Sequence, residues 1–151
     1  MGTIRVGWRE WASLPELGIE RIKVKVDTGA RTSALHAFRL ETFFRGDSEW
    51  VRFFIHPLQR NTKVVRECVW PLLDRRVVSD SGGHREERVA IRTMLEMGDR
   101  RWPVELTITS RESMKFRMLL GRTAMEGMAV DPGASYLLGR PGGSKRRTRT
   151  S

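Results

Sequence analysis

Cysteine is nearly absent from this 151-residue chain: Cys68 is the only one, which excludes an intrachain disulfide and a cysteine-based zinc site. Histidine occurs at His36, His56 and His84 alone, and no His-Glu-x-x-His is present, so the usual signature of a zinc peptidase is missing. No Gly-x-x-x-x-Gly-Lys-Ser/Thr loop occurs either. Long apolar runs are lacking; none approaches the ~18–20 residues of a membrane-spanning helix. The opening Met1-Gly2-Thr3-Ile4-Arg5-Val6 has no apolar signal core, and Val6 stands where a myristoylation signal carries Ser or Thr. A cytoplasmic address and no membrane partner are the resulting expectations. Acids are outnumbered, 18 Asp and Glu against 28 Lys and Arg.

The net charge of +10 is unevenly spread. Residues 140–151 hold Arg140, Lys145, Arg146, Arg147 and Arg149 without an acid, which is half of the surplus. This Gly/Ser/Thr/Arg tail has almost nothing to bury and is expected to be disordered. It reads as a solvated end, with a nucleic-acid or ribosome contact through the tail as the competing reading. Residues 1–139 form one expected domain, long enough to bury a core and short for two. Their remaining surplus would attract acidic partners or substrates.

Most of that domain reads as short strands. Thr3–Trp8 alternates, and Trp11–Gly18 is expected to turn the chain. Ile22–Val26, Ser33–Phe44, Trp50–His56, Lys63–Trp70, Arg88–Met97 and Trp102–Thr109 follow, with turn residues between them. Val77-Val78 and Arg88–Met97 flank Ser79–Gly83, a hairpin signal in which Asp80–Gly83 is a candidate substrate-covering flap, with a plain exposed hairpin as the competing reading. Met118-Leu119-Leu120 is a short strand of the fully buried kind, and only Arg122–Glu126, stopped by Gly127, looks helical. Strands at this spacing imply an all-β, closed or sandwiched fold. The tryptophans Trp8, Trp11, Trp50, Trp70 and Trp102 are expected in the core or a dimer interface, since they show no aromatic–basic ladder of the single-strand-binding kind.

Chemistry concentrates at Asp27-Thr28-Gly29-Ala30, where the apolar/basic strand Arg21–Val26 ends. A carboxylate at a strand end is held still there: Thr28 can donate a hydroxyl hydrogen bond, and Gly29 brings its N–H close without a Cβ in the way. Asp-Thr-Gly occurs once. An ordinary turn is the competing reading of Asp27. Ser33 has no evident His/Asp partner for serine-nucleophile chemistry, and His36 reads as a packing residue.

The blocks Gly7-Trp8-Arg9-Glu10-Trp11, Asp27-Thr28-Gly29-Ala30-Arg31-Thr32-Ser33-Ala34-Leu35-His36-Ala37 and Leu119-Leu120-Gly121-Arg122-Thr123-Ala124-Met125 resemble a family of bacterial and archaeal retropepsin-like aspartic peptidases. The resemblance covers about residues 3–138, and its family is often labelled "ATP-dependent zinc protease", although neither zinc nor ATP finds support in these residues. It implies a closed retropepsin-like β-barrel with one short C-terminal helix, in which the Leu-Leu-Gly strand supports the Asp-Thr-Gly loop. It further implies a homodimer in which two Asp27 side chains share one proton across a two-fold axis, because like charges that close do not both ionise easily. A water between them would lose a proton to the ionised carboxylate while the protonated one polarises the scissile carbonyl. Asp27, Thr28 and Gly29 are the catalytic residues so implied; no metal and no cofactor is required.

Arg31 stands where the family commonly has an acid that pairs with the arginine of the distal Gly-Arg motif, here Arg122. Two guanidinium groups near the loop suit a carboxylate-bearing substrate, and Arg31, Thr32, Ser33 and Arg122 are the candidate substrate-binding residues. Pairing of Arg31 and Arg122 with Glu41 or Glu126 is the plainer alternative. The expected function is therefore an aspartic peptidase, with acidic, glutamate-rich peptides such as poly-glutamate tails as candidate substrates. The alternative is a catalytically silent module of the same fold that binds acidic peptides or a partner protein.

Overall fold

The computed structural model describes residues 3–58, 61–79, 82–110 and 115–139. Eleven strands follow in chain order: β1 (Ile4–Leu14), β2 (Ile19–Val26), β3 (Ser33–His36), β4 (Arg39–Arg45), β5 (Ser48–Ile55), β6 (Arg66–Pro71), β7 (Asp74–Ser79), β8 (Arg85–Met97), β9 (Arg100–Thr109), β10 (Met118–Leu120) and β11 (Met128–Ser135). Two single 3-10 turns, Pro15–Leu17 and Arg122–Ala124, are the only helical segments among the described residues. Among these residues no helix is long and apolar enough to cross a membrane. The protein is all-β.

Period-two patterning explains why these segments are strands. In β2, Ile22, Val24 and Val26 are buried while Arg21 and Lys25 are exposed. In β8, Val89, Ile91, Thr93, Leu95 and Met97 turn inward, while the first four residues, Arg85, Glu86, Glu87 and Arg88, alternate only between exposed and half-buried. Eight strands form one sheet in the order β11-β1-β2-β10-β3-β9-β8-β7, with a further β1–β8 bridge at Ser13 and Glu96. The antiparallel sheet β4-β5-β6 packs through Val51, Phe53, Ile55 and Cys68 into the same core as Leu14, Ile22, Leu35, Leu95 and Leu106. Each such side chain taken fully out of water contributes about 1.5–3 kcal/mol.

Three expectations are corrected by these elements. Arg122–Glu126 is not a helix; the chain makes one 3-10 turn and passes into β11. β1 runs straight through Trp11 to Leu14, because its pairing with β2 continues to Leu14 and Ile19 and the turn waits for Pro15. Ser33–Phe44 is two strands in two different sheets, broken at Ala37-Phe38. All five tryptophans are half-exposed, and Trp70 and Trp102 pack against the core as expected, with their indole N–H groups donating to Arg92 O and Ala124 O. The tail and Asp80-Ser81 of the expected flap lie outside the described residues; β7 and β8 do form the expected hairpin.

Candidate functional site

β10 positions the site. It runs parallel to β2 (Met118 beside Val24, Leu120 beside Val26) and antiparallel to β3, so it wedges between the strands entering and leaving the Asp27 loop. Met118 and Leu120 are fully buried, which is why this three-residue strand is apolar throughout. From it Leu120 O accepts the Asp27 N–H at 2.9 Å, fixing the strand end where the carboxylate stands. Beyond, Arg122 N donates to Ala30 O at 2.8 Å and Thr123 N to Arg31 O at 3.2 Å, so both sides of the loop are tied to one segment.

Gly121 lets these two segments meet. A Cβ there would stand 2.5 Å from the carbonyl carbon and oxygen of Thr32, a distance backbone does not tolerate. Ser33, fully buried beneath the loop, accepts the Gly121 N–H on its Oγ at 2.9 Å. Ser33 thus works from inside, holding the crossing, and does not reach the surface.

Within the loop, Gly29 N–H donates to Asp27 Oδ1 at 3.1 Å. Asp27 is half-exposed, and Thr28, Gly29 and Arg31 are exposed. Among the described residues Arg122 pairs with no carboxylate. Its Nη1 donates to Thr28 O at 3.1 Å and Gly29 O at 3.2 Å, gripping the loop's backbone. Neither expected acid is its partner, and Glu41 is engaged by Arg52 at 3.1 Å. Arg31 makes no ion pair among the described residues. Asp27, Thr28, Gly29, Arg31, Thr32, Ser33 and Arg122 therefore gather in one place, with Ser33 and Thr32 as support and Asp27 and Arg31 as the groups that face outward.

Other chemistry-bearing groups lie elsewhere. Burial pushes the Cys68 thiol up to about 12, with Glu67 adding to the effect, so it is no nucleophile. Among the described residues no three His, Cys, Asp or Glu side chains gather as a metal-binding group. Two clefts, of about 290 and 460 Å³, share Pro103, Thr123 and Ala124 as lining, and neither is lined by Asp27 or Arg31. The triplet Asp80-Ser81-Gly82 in the β7–β8 hairpin repeats the Asp-Thr/Ser-Gly pattern, so that pattern alone does not single out Asp27; Asp80 and Ser81 fall outside the described residues.

Comparison with known proteins adds three findings. A family model, RimB-like, described as "Retropepsin-like aspartic endopeptidase RimB", matches residues 5–141. The label "ATP-dependent zinc protease" is not part of that description. Relatives named "Probable alpha-L-glutamate ligase" share 45% identity over 89% of this chain in Desulfotalea psychrophila and 48% over 90% in Parasynechococcus marenigrum. A third in Shewanella pealeana shares 44% over 91%. The chain spans only 29–30% of the length of these relatives. A crystal structure of a Legionella pneumophila protein of unknown function (DUF785) matches with a TM-score of 0.73 at 20% identity, over 89% of this chain and 98% of that one, which shows a shared fold.

These names correct the functional expectation. Relatives at 43–48% identity are called ligases, which join a glutamate rather than split a peptide bond. The hydrolase and protease terms of that expectation are corrected by these names, which belong to proteins more than three times the length of this chain; the family description itself reads aspartic endopeptidase, and the place of Asp27 in the site is unaffected. The same names lend the catalytically silent binding module no support.

Proposed function

This chain belongs to the RimB-like family, and from the names of its curated relatives we propose that it serves α-L-glutamate ligation, supplying the part of such a ligase that carries the Asp27 loop. The observation that carries this reading is the 43–48% identity to ligases over about nine-tenths of the chain. The geometry suits it. Glutamate is a zwitterion with one ammonium and two carboxylates, and the loop turns one anion and one cation outward within a five-residue turn. Asp27 keeps one carboxylate oxygen on Gly29 and offers the other to an ammonium group. Arg31 offers a planar fork to a carboxylate. Arg122, Thr28, Gly29, Thr32 and Ser33 hold the two in place. In this reading the β1–β8 bridge closes the large sheet into a retropepsin-type barrel, with the loop at the mouth of β2 and β3.

The test is a chimera in which this chain replaces the matching part of the Desulfotalea psychrophila relative, with incorporation of labelled glutamate as the readout. The chimera should incorporate glutamate, and Asp27→Asn or Arg31→Gln within it should lower the rate about tenfold or more, the cost of one charge-assisted hydrogen bond. A folded chimera whose incorporation is indifferent to both substitutions contradicts the reading.

A further inference from the structure

The outward face of β1 and β2 carries an arrangement that glutamate ligation does not use. Arg21, Lys23 and Lys25 occupy alternate positions of β2, opposite to the buried Ile22, Val24 and Val26. Register places Arg9 beside Lys25 and Trp11 beside Lys23. Tyr136 arrives on the same face from the far end of the chain, its N–H donating to Arg9 O at 2.9 Å. Its ring stacks on Trp11 with centroids 5.7 Å apart and planes 25° from parallel. The Arg9 guanidinium lies 4.6 Å from the Trp8 ring and 5.0 Å from the Tyr136 ring. The Lys23 ammonium lies 5.2 Å from Trp11, and the Arg21 guanidinium 5.2 Å from the same ring.

Rings and cations thus alternate along one face, and three of its cations are not neutralised there. Arg9, Arg21 and Lys25 make no ion pair among the described residues; Arg9 donates only to the neutral Ser135 Oγ, at 3.1 Å. Tyr136 holds its place with φ of +56°, a conformation bulky side chains rarely adopt. The ring is kept on the face at a backbone cost.

We propose that this face binds single-stranded nucleic acid. Phosphates would meet Lys25 and Arg21, and unpaired bases would stack on Trp11, Tyr136 and the Arg9 guanidinium. An acidic peptide would need the cations alone, and the aligned half-exposed rings are what favour bases over carboxylates. A duplex keeps its base faces covered and offers the rings nothing.

The test uses the full chain and a fluorescein-labelled oligouridine about a dozen nucleotides long, read by anisotropy and by tryptophan emission. Binding should quench tryptophan and weaken steeply between about 50 and 200 mM salt. The double variant Arg21→Glu/Lys25→Glu, both positions exposed, should bind about tenfold or more weaker with an unchanged circular dichroism spectrum. A duplex of equal length should bind about tenfold more weakly than the single strand. A Lys145→Ala/Arg146→Ala/Arg147→Ala variant, in the basic tail, should retain the quenching. The proposal is overturned by absent binding, by the double variant binding like wild type, by binding without quenching, or by loss of quenching in the tail variant. Equal competition by oligo-glutamate of the same charge overturns it too, and makes this an acidic-peptide surface. None of these outcomes bears on glutamate binding at Asp27 and Arg31.

Discussion

At the scale of single residues, Gly121 and Arg122 set how firmly the loop is held. A methyl group on residue 121 would collide with the Thr32 backbone, which has no flexible end to swing away. Gly121→Ala should therefore cost about 3 kcal/mol in urea denaturation, at the top of the overpacking range. Arg122→Met removes the Nη1 group that donates to both Thr28 O and Gly29 O from an exposed side chain. It should lower stability by only about 1 kcal/mol, while amide exchange at Thr28, Gly29 and Ala30 accelerates well beyond the global change. The arrangement was readable from residues where it is local: Asp27-Thr28-Gly29 and Leu119-Leu120-Gly121 are contiguous stretches whose chemistry is in their spelling. Arg122 was not, because its acceptors are backbone carbonyls more than ninety positions upstream, and a carbonyl leaves no trace in residue identity. Ser33 was misread for a related reason, its partner being the Gly121 N–H.

At the scale of elements, the C-terminal segment is fastened to β1 by one buried carboxylate. Glu10 is fully buried, and its oxygens accept the N–H groups of Gly7 at 2.7 Å, Leu137 at 2.9 Å and Leu138 at 3.1 Å. Gly7 adds a close approach of its own: a Cβ there would stand 2.2 Å from Ala134 O. Glu10→Ala orphans three donors and should cost about 3 kcal/mol, with limited proteolysis shifting to the Tyr136–Gly139 stretch. Glu10→Gln keeps an acceptor and should lose less. Turns marked by glycine, such as Gly46-Asp47 and Gly98-Asp99, were legible because turn chemistry is local. β11 was not, since Asp131-Pro132-Gly133 spells a turn, and only the parallel pairing of Ile4–Gly7 with Met128–Asp131 makes it a strand. The ring-and-cation face was hidden too, because Tyr136 meets Trp11 across 125 positions.

At the scale of the whole molecule, the two sheets are linked by side chains as well as by core packing. Arg75 of β7 donates to both oxygens of Glu49 of β5, at 2.7 and 2.6 Å. The hydrogen bond from Arg75 holds the Glu49 carboxyl below its ordinary 4.5, against a smaller opposing effect of burial. A carboxyl lowered in the folded state contributes stability above its unfolded value and loses it as pH falls through the folded one. The melting-temperature gap between wild type and Arg75→Met should thus be constant from neutral pH down to about 4.5 and close below it. The gap should be small, because Arg75 is exposed. Function was the least legible at this scale. Asp-Thr-Gly with its supporting strand reads as a peptidase loop, yet relatives nearly half identical to the chain are named glutamate ligases. Loop geometry fixes a carboxylate and its neighbours, whereas the bond made or broken depends on what else meets them.

The reading of Asp27 and Arg31 as a receptor for glutamate is tested most directly by calorimetric titration of the chain with L-glutamate, and with glutarate, which lacks the ammonium group. The account predicts saturable L-glutamate binding, weakened about tenfold or more by Arg31→Gln or Asp27→Asn, with glutarate weaker by a similar factor and indifferent to Asp27→Asn. No binding heat with L-glutamate, or equal affinity for both ligands in wild type and variants, would contradict it.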